Sequence, residues 1–214
     1  MLSRSAQPVM SLAARLRRAV WTAGIAIIAM AASVAATKPT LGPGQEFSAP
    51  GLQVHSPAAD GWFEESRTDD QFVFAKRGAS RDEWYIASVI VSYLPEFGNP
   101  DGFAYYVTRE FQRSVPQRVE ILTLETQATA EREYPCVRLR SVFFYHELTL
   151  WLPKKTRHEM ISLSCRHPYR KNLGFLAIYL HRGGPVDEHL EEAAASFIEG
   201  VQVPPQPIAN DLPP

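Results

Sequence analysis

The sequence predicts an α+β domain: a twisted antiparallel β-sheet of six to eight strands, with one internal helix and a C-terminal helix packed on it. Three observations carry this. Short alternating or β-branched runs recur between turn signals, as in Leu52-Gln53-Val54-His55 and Trp84 to Leu94. One stretch among them changes to helical spacing, with Phe103, Tyr106, Val107 and Phe111 on one side. A second helical stripe, Val186 to Ile198, closes the series.

Taken in order, Leu52 to His55 is a short strand stopped by Pro57, and Asp60-Gly61 marks a turn before Trp62. Phe72-Val73-Phe74 is a strand closed by Lys76-Arg77-Gly78. Trp84 to Leu94 is long, β-branched and aromatic, which suits a central strand. Asn99-Pro100-Asp101 punctuates the change to helix, with Asp101 able to cap it, and Pro116 ends it. Strands follow over Val119 to Thr126, Val137 to Tyr145, Leu148 to Leu152, Ile161 to Cys165 and Leu176 to Leu180. His146-Glu147 and Lys154 to Arg157 read as hairpin connections between them. In the last helix Pro185 suits the first position, and Leu190, Ala193, Ala194, Phe197 and Ile198 continue the stripe to Gly200, a C-terminal stop.

The chain divides into four parts. Residues 1–36 read as a signal peptide or N-terminal membrane anchor, and 37–50 as a Pro/Gly linker. Residues 51–203 read as a single α+β domain, and 204–214 as a disordered Pro-rich tail. In the leader, Arg15, Arg17 and Arg18 precede an uncharged run from Ala19 to Ala36. Val34 and Ala36 occupy the −3 and −1 positions of a cleavage site before Thr37. If the run is not removed, residues 19–36 can hold the chain in a membrane with the domain outside the cytoplasm. The expected location is therefore periplasmic or extracellular, or membrane-anchored and facing the same side.

Charge excludes one class. The leader's four arginines account for all its charge, so removing them from the 22 Lys+Arg leaves 18 against 23 Asp+Glu, a balance of −5. A general nucleic-acid binder is basic, and this chain is not.

As a whole, residues 51–203 resemble the PsbP-like group of α/β/α sandwich domains. The resemblance lies in layout: Leu52 to Pro57 leading to Gly61-Trp62, a late strand from Met160 to Cys165, and a closing helix ending Phe197-Ile198-Glu199-Gly200. It implies an exported, mostly non-enzymatic accessory or binding role, with no fixed catalytic residue.

Few residues carry chemistry. Cys136 and Cys165 are the two cysteines, and an oxidising compartment favours a disulfide. The strand pattern favours separate thiols. Cys165 shares the apolar parity of Ile161 and Leu163, whereas Cys136 shares that of Arg138 and Arg140, unless a bulge after Pro135 turns it. Cys165 and His167 lie two apart, as a Cys–His nucleophile or half a metal site would, but the other histidines have no zinc-site spacing. The acid pairs Glu64-Glu65 and Asp69-Asp70 read as loop surface. No metal or cofactor motif is present in the sequence.

The strongest site signal is a charge asymmetry. Between Arg138 and Lys171 stand Arg138, Arg140, Lys154, Lys155, Arg157, Arg166, Arg170 and Lys171 against only Glu147 and Glu159. On adjacent strands these could form one basic patch for an anionic envelope lipid or polymer. The reading is an exported, non-catalytic envelope protein that binds such a partner or an envelope protein, with no nucleic acid and no cofactor. The alternatives are an extracytoplasmic enzyme with a site near His167, and a structural component of an envelope assembly tethered by its Pro-rich ends.

Overall fold

The computed structural model describes residues 38–97, 99–129, 131–148 and 153–205. The leader at 1–36 and most of the expected tail lie outside the described residues. In chain order the elements are β1 (Glu46–Ala49), β2 (Leu52–His55), β3 (Phe63–Arg67), β4 (Gln71–Arg77) and β5 (Trp84–Tyr93). Then come α1 (Pro100–Ser114), β6 (Val119–Thr129), β7 (Cys136–Leu148), β8 (Pro153–Arg166), β9 (Leu173–Arg182), α2 (Leu190–Glu199) and β10 (Val201–Gln202).

The fold class is α+β. Seven strands form one antiparallel sheet in the order β3-β4-β5-β9-β8-β7-β6. A second, three-stranded sheet in the order β1-β2-β10 was not expected. Glu46 to Ala49 falls within the stretch read as linker. It forms a strand because Phe47 has a core to enter, buried against Phe72 and Phe74 at ring distances of 5.7 and 5.2 Å.

Both faces of the large sheet are covered, which explains why β5 and β9 lack polar alternation. One face carries Phe74, Val89, Leu163, Ala177 and Tyr179 against Leu190, Ala194, Phe197 and Ile198 of α2, with Phe47 and Val54 of the small sheet. The other carries Val73, Ile90, Leu139, Phe143 and Leu180, with Phe111 of α1. Every residue of β9, the middle strand, is buried.

Several boundaries differ from expectation. Asn99, not Asp101, caps α1: its side chain accepts the Gly102 N–H at 2.7 Å, and Pro100 takes the first turn, where no N–H is needed. The last helix starts at Leu190 rather than near Pro185, because the Asp187 carboxylate accepts the His189 N–H at 2.9 Å and holds that segment in a turn. His146-Glu147 and Lys154 to Arg157 are not turns. They lie within β7 and β8, which stay paired from Cys136↔Cys165 to Leu148↔Pro153. Those residues are polar because that end of the hairpin pairs its charges with neighbours instead of a core. The strand expected over Leu148 to Leu152 falls mostly at 149–152, outside the described residues.

Candidate functional site

Cys136 and Cys165 sit directly opposite on β7 and β8 and are joined, with an S–S distance of 2.04 Å and Cα atoms 4.1 Å apart. The parity objection fails for a physical reason. Arg138 pairs with Leu163 and Arg140 with Ile161, so all six side chains share one face. That face is apolar toward the centre and charged toward β7, where the cover of α2 runs out. No bulge is needed.

The eight cations do not share one surface. Arg138 is held by Glu131 at 3.0 and 2.9 Å, and Arg140 lies 3.7 Å from Glu191 on α2. Lys154 reaches Asp82 at 2.7 Å, and Lys155 reaches Glu120 at 2.9 Å. Arg157 pairs with Glu159. Most of these carboxylates come from outside the 138–171 window, which is why a charge tally over that window overstates the patch. Their hydrogen bonds leave a trace: Glu131, Asp82 and Glu120 all titrate below the ordinary carboxylate range, through Arg138, Lys154 and Lys155 respectively.

Arg166, Arg170 and Lys171 occupy the end of the sheet opposite Lys154, Lys155 and Arg157, while Arg138 and Arg140, paired with Leu163 and Ile161, lie nearer to Arg166 but on the other face. Lys154 and Arg166 are twelve positions apart along β8, about 40 Å of strand. Arg166 stacks over the Phe97 ring at 5.5 Å. Arg170 and Lys171 stand exposed in the β8–β9 turn, with no carboxylate partner among the described residues. Tyr169 in that turn is 51% exposed. Tyr93, paired with Leu173 at the same end, is 77% exposed.

His167 lies under this turn, with both ring nitrogens engaged. The Tyr169 N–H donates to Nδ1 at 3.2 Å, so Nε2 carries the hydrogen and donates to the Gly51 carbonyl at 3.2 Å. Burial lowers its pKa, so the neutral ring is favoured. No described contact places an acid beside it, so the Cys–His reading falls: the cysteine is in a disulfide and the imidazole ties β2 to the β8–β9 turn.

The far end of the sheet holds a buried polar group that sequence did not reveal. His181 bonds Glu83 at 3.1 Å, both sealed, and stacks on Tyr85 at 4.7 Å. Burial opposes the Glu83 charge, but the Ser80 and Ala79 N–H groups and His181 hold its pKa below the ordinary value. Burial, with Asp187 and Glu83 nearby, pushes Tyr85 up to about 12. Glu83 thus closes a tight turn and anchors β9. The only hint in the sequence is Gly183-Gly184, whose positive φ lets the backbone pass against Asp82 and Glu83.

Glu65 of the acid pairs binds Lys38 at 2.8 Å, and Asp70 accepts the Thr68 hydroxyl at 2.6 Å. Among the described residues no group of three or more His, Cys, Asp or Glu is placed to hold a metal ion. Among them, too, no helix is long and apolar enough to cross a membrane.

A cleft opens between α1 and the second face of the sheet. It is a shallow crevice with enclosed room for only about one water molecule, lined mainly by Ile90, Leu94, Phe103, Val107 and Leu176. Ser92 and Ser164 are the hydroxyls in its wall, and the Ser164 Oγ is buried with no hydrogen-bond partner.

No protein-family model matches the chain, and no curated protein does. Some solved structures are distantly similar to the chain. The Ran-binding protein Mog1p of Saccharomyces cerevisiae is 10% identical, with a TM-score of 0.43 over 78% of this chain and 96% of that one. The cyanobacterial PsbP protein CyanoP of Synechocystis sp. PCC 6803 is 14% identical, with a TM-score of 0.43 over 80% of this chain and 97% of that one.

Proposed function

We propose that the chain is an exported, non-catalytic binding protein that docks on an anionic surface of the cell envelope through the β8–β9 end of its large sheet. The observation that carries this is the division of the cations. The other five cations are matched by carboxylates, whereas Arg166, half-buried over Phe97, and the exposed Arg170 and Lys171 have no carboxylate partner among the described residues and lie near exposed Tyr169 and Tyr93. Cations next to amphipathic aromatics suit a surface where phosphate head groups meet an apolar layer. The Cys136–Cys165 bridge supports a location outside the cytoplasm, where such bonds persist. The basic and apolar leader in the sequence agrees with that location.

The test is flotation with phosphatidylcholine vesicles, with and without phosphatidylglycerol, across a salt series. Binding is expected only with the anionic lipid and weakens as salt rises. Replacing Arg166, Arg170 and Lys171 together by glutamine removes about 3 kcal/mol, near 1 kcal/mol per cation. Replacing Arg138 and Arg140 leaves binding unchanged. Equal flotation with neutral vesicles, or indifference to the triple substitution, rejects the reading. Capture of an envelope protein by the same end, with no vesicle binding, would instead favour an assembly role.

A further inference from the structure

We infer that His167 is an acid-dependent member of the docking surface: its imidazole, neutral and bonded within the β8–β9 turn near neutrality, becomes in acid a fourth cation there and tightens the hold on an anionic phosphodiester head group. This rests on the proposed docking reading and adds its regulation.

The turn is closed by the ring itself. Pro168 has no N–H, and the next amide, that of Tyr169, donates to the His167 Nδ1 at 3.2 Å. The imidazole thus takes the part that an Asn or Asp oxygen plays in a turn closed by a side chain, accepting the amide two residues on. Only a ring with a bare Nδ1 can do this. Nε2 donates to the Gly51 carbonyl at 3.2 Å, a bond that the protonated ring also makes. Protonation therefore acts on one side alone. The ring stays tied to Gly51, while at Nδ1 an acceptor becomes a donor and two N–H groups face each other. They cannot bond one another, but an anionic oxygen placed between them accepts from both.

The surroundings suit an anion at that spot. Pro168, Tyr169, Arg170 and Lys171 above the ring are all exposed. The base of the turn is held without the imidazole: the His167 N–H donates to the Leu173 carbonyl at 2.9 Å, and the Leu94 N–H to the Asn172 carbonyl at 2.8 Å. Release of the Tyr169 amide therefore remodels the tip and leaves the base in place. The charged groups around His167 come from three sides. Its own turn supplies Arg170 and Lys171, with the Tyr169 ring edge-on at 6.0 Å. The 131–135 loop, which meets β8 where the Arg166 N–H donates to the Pro135 carbonyl at 3.0 Å, carries Glu131, Arg132, Glu133 and Tyr134. Glu131 is engaged by Arg138, and Arg132 by the Ile198 and Val201 carbonyls. The end of β5 brings Tyr93 and Glu96. The β1–β2 turn, Ala49 to Gly51, has no ionisable side chain. Among the described contacts none of these carboxylates bonds His167. Burial and Arg170 hold its pKa below the ordinary histidine value, so the charge appears only in acid. A head group beside Nδ1 opposes both effects and raises that pKa. The docked state then binds more protons than the free one, and affinity rises as pH falls.

The experiment is flotation of the chain, from Thr37 onward, with phosphatidylcholine vesicles containing phosphatidylglycerol, whose phosphodiester stays ionised throughout. Ionic strength is held constant between about pH 7.5 and pH 5, where a histidine titrates. Affinity is expected to rise about fivefold toward acid, the effect of one added cation at an anionic surface. His167→Asn offers an oxygen to the Tyr169 N–H but never charges, and brings the ratio of acid to neutral affinity to about one. His158→Phe leaves the ratio in place, which separates docking from the loss of stability in acid. A second readout needs no variant: the wild-type His167 imidazole, titrated by NMR, should have a pKa about 0.7 units higher with nanodiscs containing phosphatidylglycerol than with neutral ones, the logarithm of fivefold. An acid gain retained in His167→Asn, or an imidazole pKa that the anionic nanodiscs leave unchanged, overturns the inference. Docking near neutrality with no gain in acid defeats the inference and leaves the docking reading standing. If no vesicle is bound at any pH, both fail.

Discussion

His158 shows what one buried side chain imposes on the molecule. Its ring stacks on Phe143 at 4.9 Å and is almost wholly sealed. Burial, the Arg182 guanidinium and His181 bring its pKa down to about 4, although the Thr156 carbonyl favours the proton. In the unfolded chain the same group titrates near 6.5, so between those values the unfolded state binds the proton and the folded state does not. Stability therefore rises with pH across this window and is lost as pH falls from about 6.5 toward 4. Between pH 7 and pH 5 the loss from this residue is about 2 kcal/mol. Urea unfolding at the two pH values should show it, and His158→Phe, which keeps the stack on Phe143, should remove most of the difference. A slope unchanged in that variant would assign the effect to other groups. His167 shifts in the same direction, so a smaller residual slope is expected.

At the scale of elements, the β7–β8 hairpin decides more than any other. Its strands stay paired over 13 residue pairs, from the disulfide to Leu148↔Pro153. The bridge closes a loop with a sequence separation of 29, at the end of the hairpin away from its turn. Replacing both cysteines by alanine should lower stability by about 3 kcal/mol, seen as a lower urea midpoint, while the fold is retained. A midpoint unchanged by reductant would mean that the strand ladder alone holds this end. The hairpin also shows where sequence reading succeeds and where it stops. Strand identity was legible at Trp84 to Leu94 and Ile161 to Cys165, because β-branched residues are dense there. Turn position was not. His146-Glu147 and Lys154 to Arg157 look like loops, since their partners, Glu120, Asp82 and Arg182, lie far away in sequence. The same blindness produced the single basic patch: composition records the cations, but only strand register shows which of them an acid has matched. The parity argument about the cysteines failed in a related way. It assumed one core face, and a sheet covered on both sides gives neither parity a monopoly on burial.

For the whole molecule the question is what keeps the small sheet on the large one. Apolar contact supplies much of it, through Phe47, Val54 and Val201. Arg132 adds a polar tie, reaching the Val201 carbonyl at 2.6 Å and the Ile198 carbonyl at 2.7 Å, where the end of α2 needs donors. His167 supplies the other, through the Gly51 carbonyl in the β1–β2 turn. Gly51 itself is constrained twice: its φ is +80°, and a Cβ there would lie 2.7 Å from the His167 Nε2. Gly51→Ala should therefore strain the turn and displace the imidazole together, at a cost of about 2 kcal/mol. The loss should be local as well as global. Amide exchange in β1 and β2 should accelerate more than in β9, whose residues are all buried and open only with the whole domain. Equal acceleration in β9 and β2 would show that the two sheets unfold as one unit and that the His167 tie does not hold the small sheet separately. Because the same imidazole underlies the β8–β9 turn, loosening it should also weaken vesicle docking through Arg170 and Lys171, with those cations themselves unchanged.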